Sequence, residues 1–187
     1  MSKLLFAAMA AASLTPLAAH AQDADASPTA NRLEPYVGVM GGYNDFDNPQ
    51  SENLPDGIPG DYAGTMVEGV AGVNYNLDRF VVGVEGNVAK GIDGDIDWEY
   101  GVAGRAGVKL GKDSMFFGKV GYQWSNFDAL GPNSKDYDGM SYGMGFELSA
   151  ADMGMSENRS NIRFRGQVDT RGNFHSIRPM AGIVVKY

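Results

Sequence analysis

The residues able to do chemistry in this sequence fall into three groups. The largest is a set of charges at alternate positions within apolar runs: Glu68, Glu85, Glu99, Glu147 and Asp169 against Arg105, Lys109, Lys119, Arg163, Arg165, Arg178 and Lys186. Buried together, such charges must pair, because an isolated charge in a low-dielectric interior is costly. The same groups could instead exchange partners and gate a narrow ion path, for example Glu68 or Glu147 with Arg105 or Arg163. The second group is acidic. Residues 45–64 hold Asp45, Asp47, Glu52, Asp56 and Asp61 with no base, and Asp93, Asp95 and Asp97 stand at alternate positions. Oxygen donors of this kind suit hard cations such as calcium. Trp98 and Gly104 stand where an EF-hand loop needs glycine and glutamate, so the run is not that motif and reads as a solvated loop.

The third group is His175 and Ser176. Nucleophilic catalysis needs a hydroxyl, a base and an acid within hydrogen-bond reach. On a strand these two neighbours would face opposite ways, and a His-x-Ser spacing is absent, so no catalytic residue, metal ligand or cofactor is assigned. Basic residues Arg159, Arg163, Arg165, Arg171 and Arg178 crowd the last quarter. Arg163 and Arg165 share a strand face with Gln167 and Asp169, so internal pairing accounts for them better than a nucleic-acid patch.

The elements that must position these groups are strands. In WEYGVAGRAGVKL, residues 98–110, one alternate set is Trp98, Tyr100, Val102, Gly104, Ala106, Val108 and Leu110. The other is Glu99, Gly101, Ala103, Arg105, Gly107 and Lys109. That period of two predicts a strand greasy on one face and charged or bare on the other. Eight such segments follow from Pro35 onward, at 36–44, 65–76, 80–90, 98–110, 115–126, 139–149, 161–169 and 176–187, separated by Gly/Asp/Asn/Pro clusters. An even count suits a closed antiparallel barrel with both ends on one side. The connectors alternate long and short until the sixth, AADMGMSENRS, which is long where a turn is due, and the seventh, TRGNFH, which is short where a loop is due.

Composition narrows the class. Met1-Ser2-Lys3, the apolar stretch 4–19 and the small-x-small site Ala19-His20-Ala21 predict a secretory signal peptide over 1–21, a flexible leader over 22–34 and a barrel domain over 35–187. Removing 1–21 takes away Lys3 and no acid, so the formal net charge of −8 becomes −9, the wrong sign for a nucleic-acid binder. Cysteine is absent, which excludes a disulfide scaffold. Glycine, at 26 of 187 residues, is about twice its usual share.

Alternation leaves open whether the apolar face looks to a core or to lipid. Segments of nine to thirteen residues are long enough to cross a bilayer at a tilt. Tyr43, Tyr75, Trp98, Tyr100, Tyr122, Trp124 and Tyr187 cluster near segment ends in the apolar register, as interfacial girdles do. Both features favour a transmembrane barrel with the charges inside. A soluble lipocalin-like barrel with an apolar ligand cavity is the alternative, since eight strands serve both uses.

The signal peptide, the start PYVGVMGGYNDF, the strand glycines and the final MAGIVVKY together resemble the OmpA-like and opacity-protein-like eight-stranded outer-membrane barrels of Gram-negative bacteria, a porin family. The resemblance implies an all-β, closed eight-stranded antiparallel up-and-down transmembrane barrel in the outer membrane, with a structural or surface-interaction role. It implies outer-membrane lipid and lipopolysaccharide as surroundings, their phosphates able to share a cation with the acidic loops. It also implies the barrel-assembly machinery as a biogenesis partner, which reads Ile183, Val185 and Tyr187 in the last strand. A monomer is expected, with no nucleic acid, no cofactor and no enzymatic activity, and with no peptidoglycan-binding domain after the barrel.

Overall fold

The computed structural model describes residues 32–46, 64–92, 96–111, 113–127, 137–155, 161–171 and 176–187. Eight strands follow one another: β1 (Leu33–Phe46), β2 (Gly64–Leu77), β3 (Phe80–Gly91), β4 (Ile96–Lys109), β5 (Met115–Phe127), β6 (Tyr137–Ser149), β7 (Ile162–Arg171) and β8 (Ser176–Lys186). Each pairs antiparallel with its sequence neighbour, and β8 returns to pair with β1, so no sheet edge is left open. The near end of the barrel is where β1 starts and β8 finishes; the far end is opposite.

The strands are tilted. Followed from strand to strand, the register that starts at Glu34 runs through Asn74, Gly83, Arg105, Lys119, Gly143, Asp169 and Arg178, and meets β1 again at the level of Asn44. A row perpendicular to the strands thus climbs from residue 34 to residue 44 of β1 in one circuit, and that stagger is what closing a small barrel requires. It also winds inward-facing polar groups up the lumen as a spiral.

Burial follows the period of two. In β2 the pattern runs buried, exposed, buried from Gly64 to Val70, and in β3 Val82, Val84, Gly86 and Val88 are exposed, alternating with half-buried Gly83 and buried Val81, Glu85, Asn87 and Ala89. The exposed set is apolar: Val39 is 63%, Val84 61% and Met144 61% exposed. An apolar band on every strand is far larger than the few hundred Å² a water-soluble monomer tolerates, so these side chains face lipid. No helix among the described residues is long and apolar enough to cross a membrane; the strands, of ten to fourteen residues, do so.

Seven of the eight strands run past their expected limits at one end or both, and at β1, β6 and β7 the difference brings in residues expected elsewhere. β1 begins at Leu33, so Glu34, expected in the leader, lies on a strand, because its carboxylate is held by Arg163 and Lys186. β7 extends to Arg171, expected in a connector, and β6 begins at Tyr137 rather than 139. The long sixth connector lies at the near end. Its start folds into a turn over 150–154 in which Met155 N–H donates to Ala150 C=O, with Gly154 at φ 78° where a Cβ would be strained. Asp152 fastens this turn to the β4–β5 turn by accepting from the N–H groups of Asp113 and Ser114 and from Ser114 Oγ. The leader up to residue 31, the signal peptide and most of the expected loops at 45–64, 91–97 and 127–138 lie outside the described residues.

Candidate functional site

The inward register fills the lumen, and its charges stand in three layers. In the middle layer Arg105 (β4) and Arg165 (β7) lie between Glu85 (β3) and Glu147 (β6). Arg105 reaches Glu147 Oε1 at 2.7 Å and Glu85 Oε2 at 3.3 Å; Arg165 reaches the same two oxygens at 2.7 and 2.5 Å. Tyr36 Oη donates to Glu85 at 2.7 Å and accepts from Arg105 at 2.8 Å. The Phe117 ring covers both guanidiniums, 4.1 Å from Arg105 Cζ and 5.3 Å from Arg165 Cζ. A planar fork of donors under an aromatic face is an arrangement lysine could not reproduce.

The near layer joins Glu34 to Arg163 at 2.8 Å and to Lys186 at 3.6 Å, with Asp113 accepting from Lys186 at 2.5 Å. These contacts cross from β1 to β7 and β8, so they tie the seam where the barrel closes. Arg163 also reaches Glu147 Oε2 at 3.0 Å and so connects near and middle layers. Lys119 connects middle and far, at 3.6 Å from Glu85 and 3.1 Å from Asp169.

In the far layer Arg178 contacts Glu99, Glu68 and Asp169 at 2.7, 3.2 and 3.4 Å. Arg171 pairs with Glu99 and donates to Gln123 and Ser125 at 2.9 and 2.6 Å. Gly143 is what makes room here, since a Cβ at that position would strike the Asp169 carboxylate and the Lys119 stem. Glu68 Oε1, Asp169 Oδ1, Gln167 Oε1 and Asn44 Nδ2 are buried in this half without a hydrogen-bond partner. Among further buried polar side chains such as Asn74, Asn87 and Ser141 stand two apolar clusters, Met40, Met66, Val70, Ala89 and Met180 in one and Val81, Met115 and Phe117 in the other.

Of the charges singled out from sequence, Glu68, Glu85, Glu99, Arg105, Lys119, Glu147, Arg163, Arg165 and Arg178 meet in this network. Arg105 has two carboxylates opposite it. Lys109 does not belong: it is half-buried at the near end of β4 and joins no ion pair among the described residues, because the strand ends there and its side chain reaches the rim. Of the suggested exchange pairs, Glu147 meets both Arg105 and Arg163, whereas Glu68, a layer away, meets Arg178. Glu34, Tyr36 and Asp113 were missed, and Arg171 was named among the basic residues of the last quarter without being set in the lumen network. The alternation carries back from Tyr36 to Glu34, a signal Pro35 obscures; the same parity sets Tyr36 on the face opposite Tyr43.

The outward aromatics divide by depth. Tyr43, Trp98, Tyr100, Tyr122 and Trp124 stand toward the far end and Tyr75 toward the near end. Tyr100 stacks on Trp124 with centroids 5.5 Å apart, Tyr122 meets Trp124 edge-on at 5.1 Å, and Tyr122 Oη donates to Asp138. Ile183 and Tyr187 are 48% and 66% exposed on the outward register of β8, with Val185 half-buried between them. His175, Asp93 and Asp95 lie outside the described residues and Asp97 falls on β4; among the described residues no cluster could hold a metal ion.

A closed eight-stranded barrel with an apolar wall and an ion-paired interior defines a class, that of small transmembrane β-barrels. Within it, the chain belongs to the outer membrane protein beta-barrel domain family, matched over residues 4–174, and its place is the outer membrane. Among solved structures it is similar to Neisserial surface protein A, at 11% identity over 83% of this chain and 97% of that one, with a TM-score of 0.54. It is also similar to a de novo designed transmembrane β-barrel (16% identity, 88% and 100%, TM-score 0.47). A third is Ail, the attachment invasion locus protein of Yersinia pestis, in complex with the heparin analogue sucrose octasulfate (10% identity, 83% and 97%, TM-score 0.45). No curated protein matches the chain.

Proposed function

We propose that this barrel is a sealed, non-enzymatic outer-membrane scaffold that presents its acidic segments 45–64, 91–97 and 127–138 to the outside and acts by surface interaction. The supporting observation is the middle layer: Arg165, Glu147, Glu85 and Arg105 are only 1 to 4% exposed, whereas a conducting column would leave them open to water. An interior of eight strands is just wide enough for side chains to fill it. The near end, holding the turns at 78–79 and 110–114, faces the periplasm, and Ile183, Val185 and Tyr187 serve as the assembly signal of a barrel that works as a monomer in lipid and lipopolysaccharide.

Purified protein in planar bilayers tests the seal: no discrete current steps are expected, and regular single-channel steps would make the narrow gated pore the better reading. The interaction role is tested on cells. Replacing residues 47–63, which carry four acids and no base, by a short Gly/Ser linker should lower adhesion to a polycation-coated surface while the barrel still assembles; unchanged adhesion would remove that segment from the role.

A further inference from the structure

The seam between β1 and β8 is broken within its length. Its register runs unbroken from Tyr36 opposite Lys186 to Gly42 opposite Met180, omits Tyr43 and Asn44, and resumes with Asp45 opposite Ile177 and Phe46 opposite Ser176. Pro179 falls in the gap, at the level of Tyr43. A Cβ on Gly42 would lie 2.5 Å from the Pro179 carbonyl oxygen, so the backbone groups of Pro179 point toward β1, where its nitrogen has no hydrogen to donate. Proline in a sheet is confined to edges and bulges, and in a closed barrel Pro179 makes a local edge. β8 is held thinly here: Ser176 and Ile177 pair only with β1, and Arg178 and Pro179 only with β7.

The interior behind the break is short of partners. Among the described residues, every buried side-chain polar atom without a hydrogen bond belongs to β1, β2 or β7, at or next to this seam, and none to β3, β4, β5 or β6. In the far layer these atoms are Asn44 Nδ2, Glu68 Oε1, Gln167 Oε1 and Asp169 Oδ1, on side chains 0 to 4% exposed. The acids of that layer, Glu68, Glu99 and Asp169, meet three cations, Arg178, Arg171 and Lys119, so it lacks hydrogen-bond donors rather than charge.

We propose that the break is a side window into the far half of the lumen, and that the unmet groups behind it bind a small neutral hydrogen-bond donor, water itself. Charge balance selects a neutral ligand over a cation. Three acceptors and one donor are the kind of setting that holds buried water, which bonds to otherwise unsatisfied polar groups. Tyr43, outward at the break, stands among the far-end aromatics, at the level of the interface where water is present. The inference concerns the far half of the lumen alone and does not rest on the surface role of the loops.

Hydroxyl-radical footprinting of the full barrel in phosphatidylcholine nanodiscs tests the occupancy, because radicals formed from bound water oxidise a thioether beside it. Met66 and Met180 belong to the far half and Met115 to the other apolar cluster; they are 1%, 4% and 2% exposed, so exposure does not separate them. Met66 Sδ lies 3.6 Å from Arg178 Nη1. Met66 and Met180 are expected to oxidise several-fold faster than Met115. Pro179→Ala, which supplies an N–H facing Tyr43, tests the entrance. Entry of isotopically labelled water into the Met66 sulfoxide, and hydrogen exchange over 176–180, should both slow about fivefold, the effect of one added hydrogen bond on a local opening. Exchange over 36–40, in the unbroken part of the seam, should not change. In the unsubstituted barrel, 176–180 should exchange faster than 120–124 on β5, across the barrel from the seam. Protection of Met66 and Met180 equal to that of Met115 would overturn the bound water. Equal exchange over 176–180 and 120–124, or labelled water entering Pro179→Ala as fast as wild type, would overturn the window.

Discussion

In the middle layer of the lumen, Arg105 and Arg165 each reach both Glu85 and Glu147, and Phe117 and Tyr36 close over them. No buried side-chain polar atom of those four charged residues, or of Tyr36, lacks a partner. In the far layer Arg178 has three carboxylates within 3.4 Å, yet one oxygen of Glu68 and one of Asp169 are buried with nothing to accept from. Both layers use guanidinium and carboxylate at the same degree of burial. The middle layer is complete, so moving any member exposes a charge. The far layer has spare acceptors, so its members can exchange donors without leaving one stranded. Ion pairs in a barrel interior therefore differ in what they fix, and the difference lies in the count of unmet lone pairs rather than in the count of bridges.

Substitutions can break this comparison. The largest effect is expected for Arg165→Met, which leaves the buried Glu85 and Glu147 with one fewer cation; breaking a buried pair costs about 3–5 kcal/mol. Equilibrium urea unfolding in lipid bilayers measures it. Tyr36→Phe, which removes a hydroxyl bonded to both Glu85 and Arg105, should cost about 1.5–3 kcal/mol by the same assay, as for hydrogen bonds to charged groups. In the far layer Glu68→Gln should cost only about 0.5–1.5 kcal/mol, because Arg178 keeps Glu99 and Asp169 and the amide can still accept from Asn87. Lys109→Gln, outside the network, should fall within about 0.5 kcal/mol of wild type.

The architecture was legible in the sequence because one periodicity sets it. Alternation in WEYGVAGRAGVKL assigns Arg105 to one face and Val102 to the other, and eight such runs can close only as a barrel. Which face carries the lipid was legible too, from the aromatics at segment ends. The pairing was not. Arg105 meeting Glu85 depends on neighbouring strands, but Arg105 meeting Glu147 depends on the stagger that closing the barrel imposes, and no local pattern encodes that. Glu34 was lost behind Pro35, which resembles a boundary although it occupies an outward position on the strand that starts at Leu33. Lys109 was included on parity alone, which tells a side chain's face and not how far from the rim it stands. The unmet acceptors of Glu68 and Asp169 have no sequence signature, because they arise from what the surrounding strands fail to supply.

The contrast between the two layers is tested most directly by two double-mutant cycles, Arg165 with Glu147 and Arg178 with Glu68, read by unfolding free energy in the same lipid. Coupling between contacting residues spans about 0.5–3 kcal/mol. The middle pair should fall at the top of that range and the far pair at the bottom. Equal couplings, or a larger one for Arg178 and Glu68, would contradict the assignment of the middle layer as the lock of this barrel.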